Sequence, residues 1–211
     1  DRIRIRRHGL PRATRSPFNA RAAVQALDAA KWGAQALVCD ARIGLDHLSR
    51  MLSGWSADPA WSTKAREQAR QWRERVDELT TQAPPPGTLP YDAEVIGAVR
   101  DSAPDAAASA NHDIVVCAAG TLPAELHKLW RTAHAGGYHV EYGYSCMGYE
   151  IAGGLGVKQA RPGCEVIVML GDGSYLMLNS ELATSVMLGL KLIVVVLDNR
   201  GYGCIQRLQL A

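Results

Sequence analysis

Aromatic side chains are scarce in this sequence: they make up 6% of 211 residues and include a single Phe. A core must therefore be assembled from aliphatic side chains. No apolar run approaches the roughly 18 residues that carry a helix across a bilayer, so no membrane partner is expected. The opening stretch DRIRIRRHGLPRATR lacks the apolar centre of a secretory signal, and a cytoplasmic chain is expected. Cysteines are few and odd in number (Cys39, Cys117, Cys146, Cys164 and Cys204), and no two form a CxxC pair. That pattern excludes a disulfide framework or a cysteine–zinc site and fits a reducing compartment.

The rest of the composition is that of a globular protein, with 47% hydrophobic and 21% charged residues. A net charge of +2 hides an asymmetry. Six of the 23 Lys and Arg and one of the 21 Asp and Glu fall in residues 1–15, a local +5 that leaves −3 for the remainder. Basic arms can bind nucleic acid, but nothing downstream repeats the pattern, so no nucleic-acid partner is expected.

The chain divides at the APPPG segment, residues 83–87, because consecutive prolines favour extended backbone and cannot continue a helix. Before it, the pattern predicts a helix over 20–33, a strand over 36–39 and a helix over 43–52. Trp61, Ala65, Ala69, Trp72, Val76 and Leu79 then recur at helical spacing within a charged stretch, the mark of an amphipathic surface helix. One strand and three helices make a poor independent core, so residues 1–60 read as the end of a preceding domain and 61–90 as a linking helix and linker. Residues 91–211 read as a regular α/β domain. A helix over 91–100 is followed by three near-continuous apolar runs, DIVVCAA, CEVIVML and KLIVVVL, as expected for parallel strands covered on both faces. Helical stretches over 123–133, 147–160 and 174–188 separate them. The predicted architecture is a doubly wound parallel sheet, whose ligands bind at the carboxyl ends of the strands.

Chemistry-bearing residues fall at those ends. GDGS, residues 171–174, directly follows CEVIVML and opens a helix, where glycines admit a close ligand and free amides favour an anion. Alone it is equally an ordinary strand-to-helix turn with Asp as the cap. Twenty-five residues, 174–198, spanning one helix and one strand, separate GDG from Asn199 in DNRGYG, residues 198–203. Asp172 and Asn199 thus stand at the ends of two strands expected to be adjacent. A carboxylate, an amide oxygen and a nearby carbonyl make a hard-oxygen site that suits Mg²⁺ carrying a diphosphate. GGLG, residues 153–156, falls inside a predicted helix and lacks the spacing of a dinucleotide fingerprint.

GDGS and NRGY at this spacing resemble the signature of thiamine-diphosphate enzymes, in their diphosphate-binding domain. The resemblance implies thiamine diphosphate and Mg²⁺ as cofactors, with Asp172, Asn199 and the carbonyl of Gly201 as metal ligands. It adds Gly171, Gly173, Ser174 and Tyr202 to the cofactor site. The stretch EYGYSCMGYEIAGGLGVKQA is similar to the segment in which a large apolar residue, followed by Gly and an aromatic, props the cofactor into its bent form. This places Cys146 and Met147 at the cofactor. AAGTLPAELHKLW lies where related enzymes carry a loop beside the diphosphate, which implies Gly120, Thr121 and Leu122. His127 reads as structural.

The wording of these segments is similar to one branch of the family, hydrolases that open the ring of a trihydroxycyclohexane-1,2-dione to 5-deoxyglucuronate in myo-inositol breakdown. The implied reaction is C–C bond hydrolysis of a cyclic diketone, with the cofactor as electron sink. Two alternatives stay open: an acetolactate synthase or 2-oxoacid decarboxylase relative, and a phosphate-binding α/β module without carbon chemistry. In the family, the glutamate that activates the cofactor belongs to a separate pyrimidine-binding domain, usually of a partner subunit. No such domain is present in these residues, so the expected partner is a second subunit or that domain, in at least a dimer. The diphosphate domain is expected to be incomplete at its C-terminal end, and the polypeptide alone to be inactive.

Overall fold

The structure, a computed structural model, describes residues 38–102, 113–132 and 134–210. The basic stretch 1–15, the helix expected over 20–33 and most of the strand expected over 36–39 lie outside them; Val38 and Cys39 are described and are not in a strand. Two compact units are present, Asp1–Ala65 and Arg66–Ala211.

In the first unit, helix α1 spans Ala41–Met51. Asp40 caps it, with Oδ1 accepting the backbone N–H of Arg42 at 3.0 Å and of Ile43 at 3.3 Å. Helix α2, Pro59–Thr81, belongs to the second unit from Arg66 onward; it begins on a proline, which costs nothing where the first N–H has no intrahelical acceptor. Its charged face is laced by Arg70 with Glu67 and Glu74 and by Arg75 with Glu78. The amphipathic face is only partly used. Val76 and Thr80 are buried, whereas Trp61 and Trp72 remain 66% and 48% exposed.

The second unit is a three-layer α/β/α arrangement. Helix α3 (Asp92–Ser102) precedes strand β1 (Ile114–Cys117), helix α4 (Thr121–Leu129), strand β2 (Tyr138–Val140) and helix α5 (Tyr149–Ala160). Strand β3 (Val166–Gly171), helices α6 (Asp172–Met177) and α7 (Glu181–Met187), strand β4 (Ile193–Leu197) and helix α8 (Gly203–Leu210) follow. All strand pairs are parallel, in the order β2–β1–β3–β4. Side chains alternate between the layers, as the two-residue repeat of a strand requires. Val115, Cys117, Ile167 and Met169 pack with Val76, Ile96, Leu122 and Leu126 on one face. Ile114, Val116, Val166, Val168 and Leu170 pack with Ile151, Tyr175 and Leu182 on the other. Burial on both faces explains why β1 and β3 read as unbroken apolar runs, whereas β4, at the sheet edge, is only partly buried although its run is as apolar. The expected doubly wound parallel sheet is what the structure shows.

Close packing of α3 on the end of α2 depends on Gly97, where an added Cβ would fall 1.9 Å from the carbonyl oxygen of Thr80. Two elements differ from the sequence reading. Strand β2 was not expected; it has three residues, lies at the sheet edge and is not fully buried, so it carries no apolar run. The single helix expected over 174–188 is two helices. Leu178 leaves helical geometry at φ −150°, ψ 51°, and the carbonyl of Asn179 accepts the N–H of Leu182 at 3.1 Å to start α7. GGLG lies within α5.

Candidate functional site

The chain runs from β1 to β2 on one side and returns past β1 to β3 on the other, so the winding reverses between β1 and β3. Crevices at such reversals, outside the strands' carboxyl ends, are where ligands of open α/β sheets bind. A cavity of about 410 Å³ opens there. Ala119 and Gly120 after β1, Gly171 at the end of β3, Leu197 at the end of β4 and the loop to α8 all line it. Gly120 takes φ 122° at the head of α4, a conformation only glycine adopts without strain. It turns the chain so that the first α4 amides, which have no intrahelical acceptor, begin at the cavity wall.

Beyond β4, Asp198 Oδ1 accepts the N–H of Arg200 at 2.8 Å, and Arg200 and Gly201 take φ 60° and 145°. This tight turn brings three polar groups together. One terminal atom of the Asn199 carboxamide lies 2.6 Å from the Gly201 carbonyl oxygen and 3.2 Å from Asp172 Oδ1. Its nitrogen can sit there and donate to both oxygens; turned over, the amide presents a third oxygen beside them. Asp172 is half-buried at the first position of α6.

A second network lies under the cavity floor. Glu150 is fully buried; its Oε2 accepts the N–H of Gly148 at 2.9 Å, and its Oε1 accepts the Ser174 hydroxyl at 2.8 Å. Burial pushes its carboxyl above the ordinary carboxylate range, against the opposing effect of those bonds. At the cavity wall, burial and then the negative charge of Glu125 hold the Asp92 carboxyl up as well, and Arg207 offsets part of this. Behind α4, the phenol of Tyr138 lies 3.1 Å from the Cys117 sulfur and 3.0 Å from His127 Nδ1. Burial pushes the Cys117 thiol up to about 11, so it is a neutral core group.

Of the residues singled out from the sequence, Gly120, Thr121, Leu122, Met147, Gly171, Gly173, Ser174, Asn199, Gly201 and Tyr202 line this one cavity. Asp172 is not part of the lining and meets it through Asn199. Cys146 is exposed and outside it, with its N–H donated to Glu141 Oε2 at 2.7 Å. The sequence reading missed Asp92, Tyr142, Ser145, Cys204, Ile205 and Leu208, which also line it. Only Asp92, at a helix start after Pro90, carries any local signal. Two larger cavities, of about 660 and 640 Å³, contain none of the residues expected at the cofactor or metal; the first takes in Tyr149, Gly153 and Gly156 along α5.

The fold is an α/β domain of the doubly wound class with a cavity at the carboxyl ends of its strands. Residues 118–211 match the family described as thiamine pyrophosphate enzyme, C-terminal TPP binding domain. The chain is 36% identical over 204 residues to a 3D-(3,5/4)-trihydroxycyclohexane-1,2-dione hydrolase of Bacillus subtilis, covering 89% of this chain and 32% of that protein. A protein of the same name from Halalkalibacterium halodurans is 53% identical over 97 residues, 46% of this chain and 15% of its own length. One from Clostridium botulinum is 41% identical over 154 residues, 73% of this chain and 22% of its own. The chain thus spans at most about a third of the curated relatives it matches.

Proposed function

We propose that the chain is the diphosphate- and metal-binding part of a thiamine-diphosphate-dependent enzyme that opens the ring of a trihydroxycyclohexane-1,2-dione by C–C bond hydrolysis. The observation that carries the reading is the meeting of Asp172, Asn199 and the Gly201 carbonyl beside the cavity at the strand ends. This donor set fits the group. A carboxylate, an amide oxygen and a carbonyl are hard ligands, and three of them leave the remaining positions of a Mg²⁺ octahedron to phosphate oxygens and water. With the amide oxygen turned inward, three oxygens within 3.2 Å of their neighbours would repel one another unless a cation lay among them.

In this reading Gly120, Thr121, Leu122, Gly173 and Ser174 hold the diphosphate, and Met147 supports the bend of the cofactor. Bound there, thiamine diphosphate supplies the electron sink that breaking a carbon–carbon bond requires. What these residues contribute is orientation, metal and exclusion of water. The carboxylate that activates the cofactor is assigned to a pyrimidine-binding domain or partner subunit and not to Glu125, Glu141, Glu150 or Glu181. The similarity to trihydroxycyclohexane-1,2-dione hydrolases supports the substrate class.

The test is calorimetric titration of the intact protein with thiamine diphosphate, NAD and ATP, each with and without Mg²⁺. Mg²⁺-dependent binding of thiamine diphosphate alone is expected, and Asp172→Ala should abolish it. Unchanged affinity in that variant would remove the metal assignment. Turnover of the cyclic dione and not of pyruvate separates the hydrolase from an acetolactate synthase or decarboxylase relative.

A further inference from the structure

Glu150 has no task in the function proposed above, yet its carboxyl is 0% exposed and, among the described residues, forms no ion pair. Burying such a group costs stability unless its oxygens are matched by donors. Both are matched, and the donors belong to two separate pieces of the cavity wall. Oε2 takes the N–H of Gly148 at 2.9 Å, and Oε1 takes the Ser174 hydroxyl at 2.8 Å. The same Gly148 N–H lies 3.2 Å from Ser174 Oγ, which closes a three-membered ring of contacts.

Gly148 follows Met147 in the turn that leads into α5 and takes φ 91° there. An added Cβ would meet the Cβ of Met177, at the end of α6, at 3.1 Å. The turn is therefore pressed against α6 at one end and bonded to its first turn at the other. Met147 and Ser174 both line the cavity, although they stand 27 positions apart in the chain. An aliphatic side chain at position 150 would leave the Gly148 N–H with only its longer contact to Ser174 and would unlink the two walls.

We propose that Glu150 is a positioning residue that fixes the spacing between the Met147–Gly148 turn and the Gly173–Ser174 start of α6, so that a ligand touching both walls is held in one shape. The proposal rests on the reading of the cavity as a thiamine-diphosphate site. A ligand touching only the α6 side, such as inorganic diphosphate, does not need the link. A ligand that also reaches the Met147 turn does.

The experiment compares Mg²⁺-dependent binding of two probes, thiamine diphosphate and inorganic diphosphate, to the intact protein and to its Glu150→Leu and Glu150→Gln variants. Glu150→Leu is expected to weaken thiamine diphosphate about tenfold while inorganic diphosphate stays within about threefold, the loss of one buried hydrogen-bonded link. Glu150→Gln, whose amide can still accept from Gly148 and donate to Ser174, is expected to restore the first probe to within about threefold. Equal losses for both probes would overturn the proposal and make Glu150 a general core residue. Retention of thiamine diphosphate by Glu150→Leu, or failure of Glu150→Gln to rescue, would also overturn it. If Glu150→Leu does not fold, Glu150→Asp, too short to reach both donors, is read by the same two probes. Failure of the parent protein to bind thiamine diphosphate would instead remove the underlying reading of the cavity, a separate outcome.

Discussion

The ring of Tyr202 fills the space in which a side chain on Gly173 would stand: an added Cβ would lie 2.6 Å from Cε1 and 3.0 Å from Cδ1 of that ring. The glycine is needed for this close approach, since its φ is not in the left-handed range. The contact holds the turn after β4 against the start of α6 and so keeps Asn199 beside Asp172.

Gly173→Ala should therefore push Tyr202 outward and separate Asn199 from Asp172. Mg²⁺-dependent affinity for thiamine diphosphate is expected to fall about tenfold, on the order of the cost of overpacking a tight contact. Adding Tyr202→Ala should cost less than its effect in the parent background, because contacting residues are not additive. Titration calorimetry on the four proteins checks both expectations.

Two helical glycines should respond to alanine in opposite directions. At Gly97 the new methyl meets the Thr80 carbonyl oxygen at 1.9 Å, a backbone atom that cannot swing aside, and a loss of about 1–3 kcal/mol is expected. At Gly156, in the exposed part of α5, nothing lies within 4 Å of the methyl, and a gain of about 0.5–1 kcal/mol is expected. Urea unfolding midpoints of the two variants are the measurement.

Glu150 should make stability depend on pH. Its folded carboxyl is held above the ordinary value by burial, so between the two values the folded state binds more protons than the unfolded chain. Stability is then full below the unfolded carboxyl's range and declines as pH rises through the folded value. Glu150→Gln removes the titration. Unfolding midpoints taken from about pH 4 to pH 8 should fall less with pH in Glu150→Gln than in the parent, across the carboxylate range and above it. Parallel curves would contradict the assignment.

Cysteine accessibility separates the residue named from sequence from the one the fold supplies. Cys146 is exposed and outside the cavity, Cys204 lines it half-buried, and Cys117 is buried with its thiol pushed up to about 11. Iodoacetamide followed by peptide mass spectrometry should label Cys146 whether or not thiamine diphosphate and Mg²⁺ are present. Label on Cys204 should fall when they are added, and Cys117 should stay unlabelled in the folded protein. Protection of Cys146 in place of Cys204 would return it to the site.

The amino-acid sequence by itself determined the sheet and the place of its chemistry. IVVC and VIVMLG had to be interior strands, because runs without polar alternation are stable only when both faces are covered; IVVVL reads the same way, yet it forms the edge strand β4 and is only partly buried. With helices between them the strands had to be parallel, so GDGS and DNRGYG, each just past a strand, had to meet at one edge. Tertiary structure alone decided the rest. Strand β2 exists because it can pair with β1, not because of its own apolarity, and the chain breaks at Leu178 although no proline or glycine marks the place. Asp92, Cys204 and Leu208 reach the cavity from distant elements, and Glu150, which has Gly148 two residues away, gains Ser174 only when α5 and α6 come together. Such contacts join residues far apart in the chain, and local pattern carries no record of which distant neighbour completes a hydrogen bond or closes a wall.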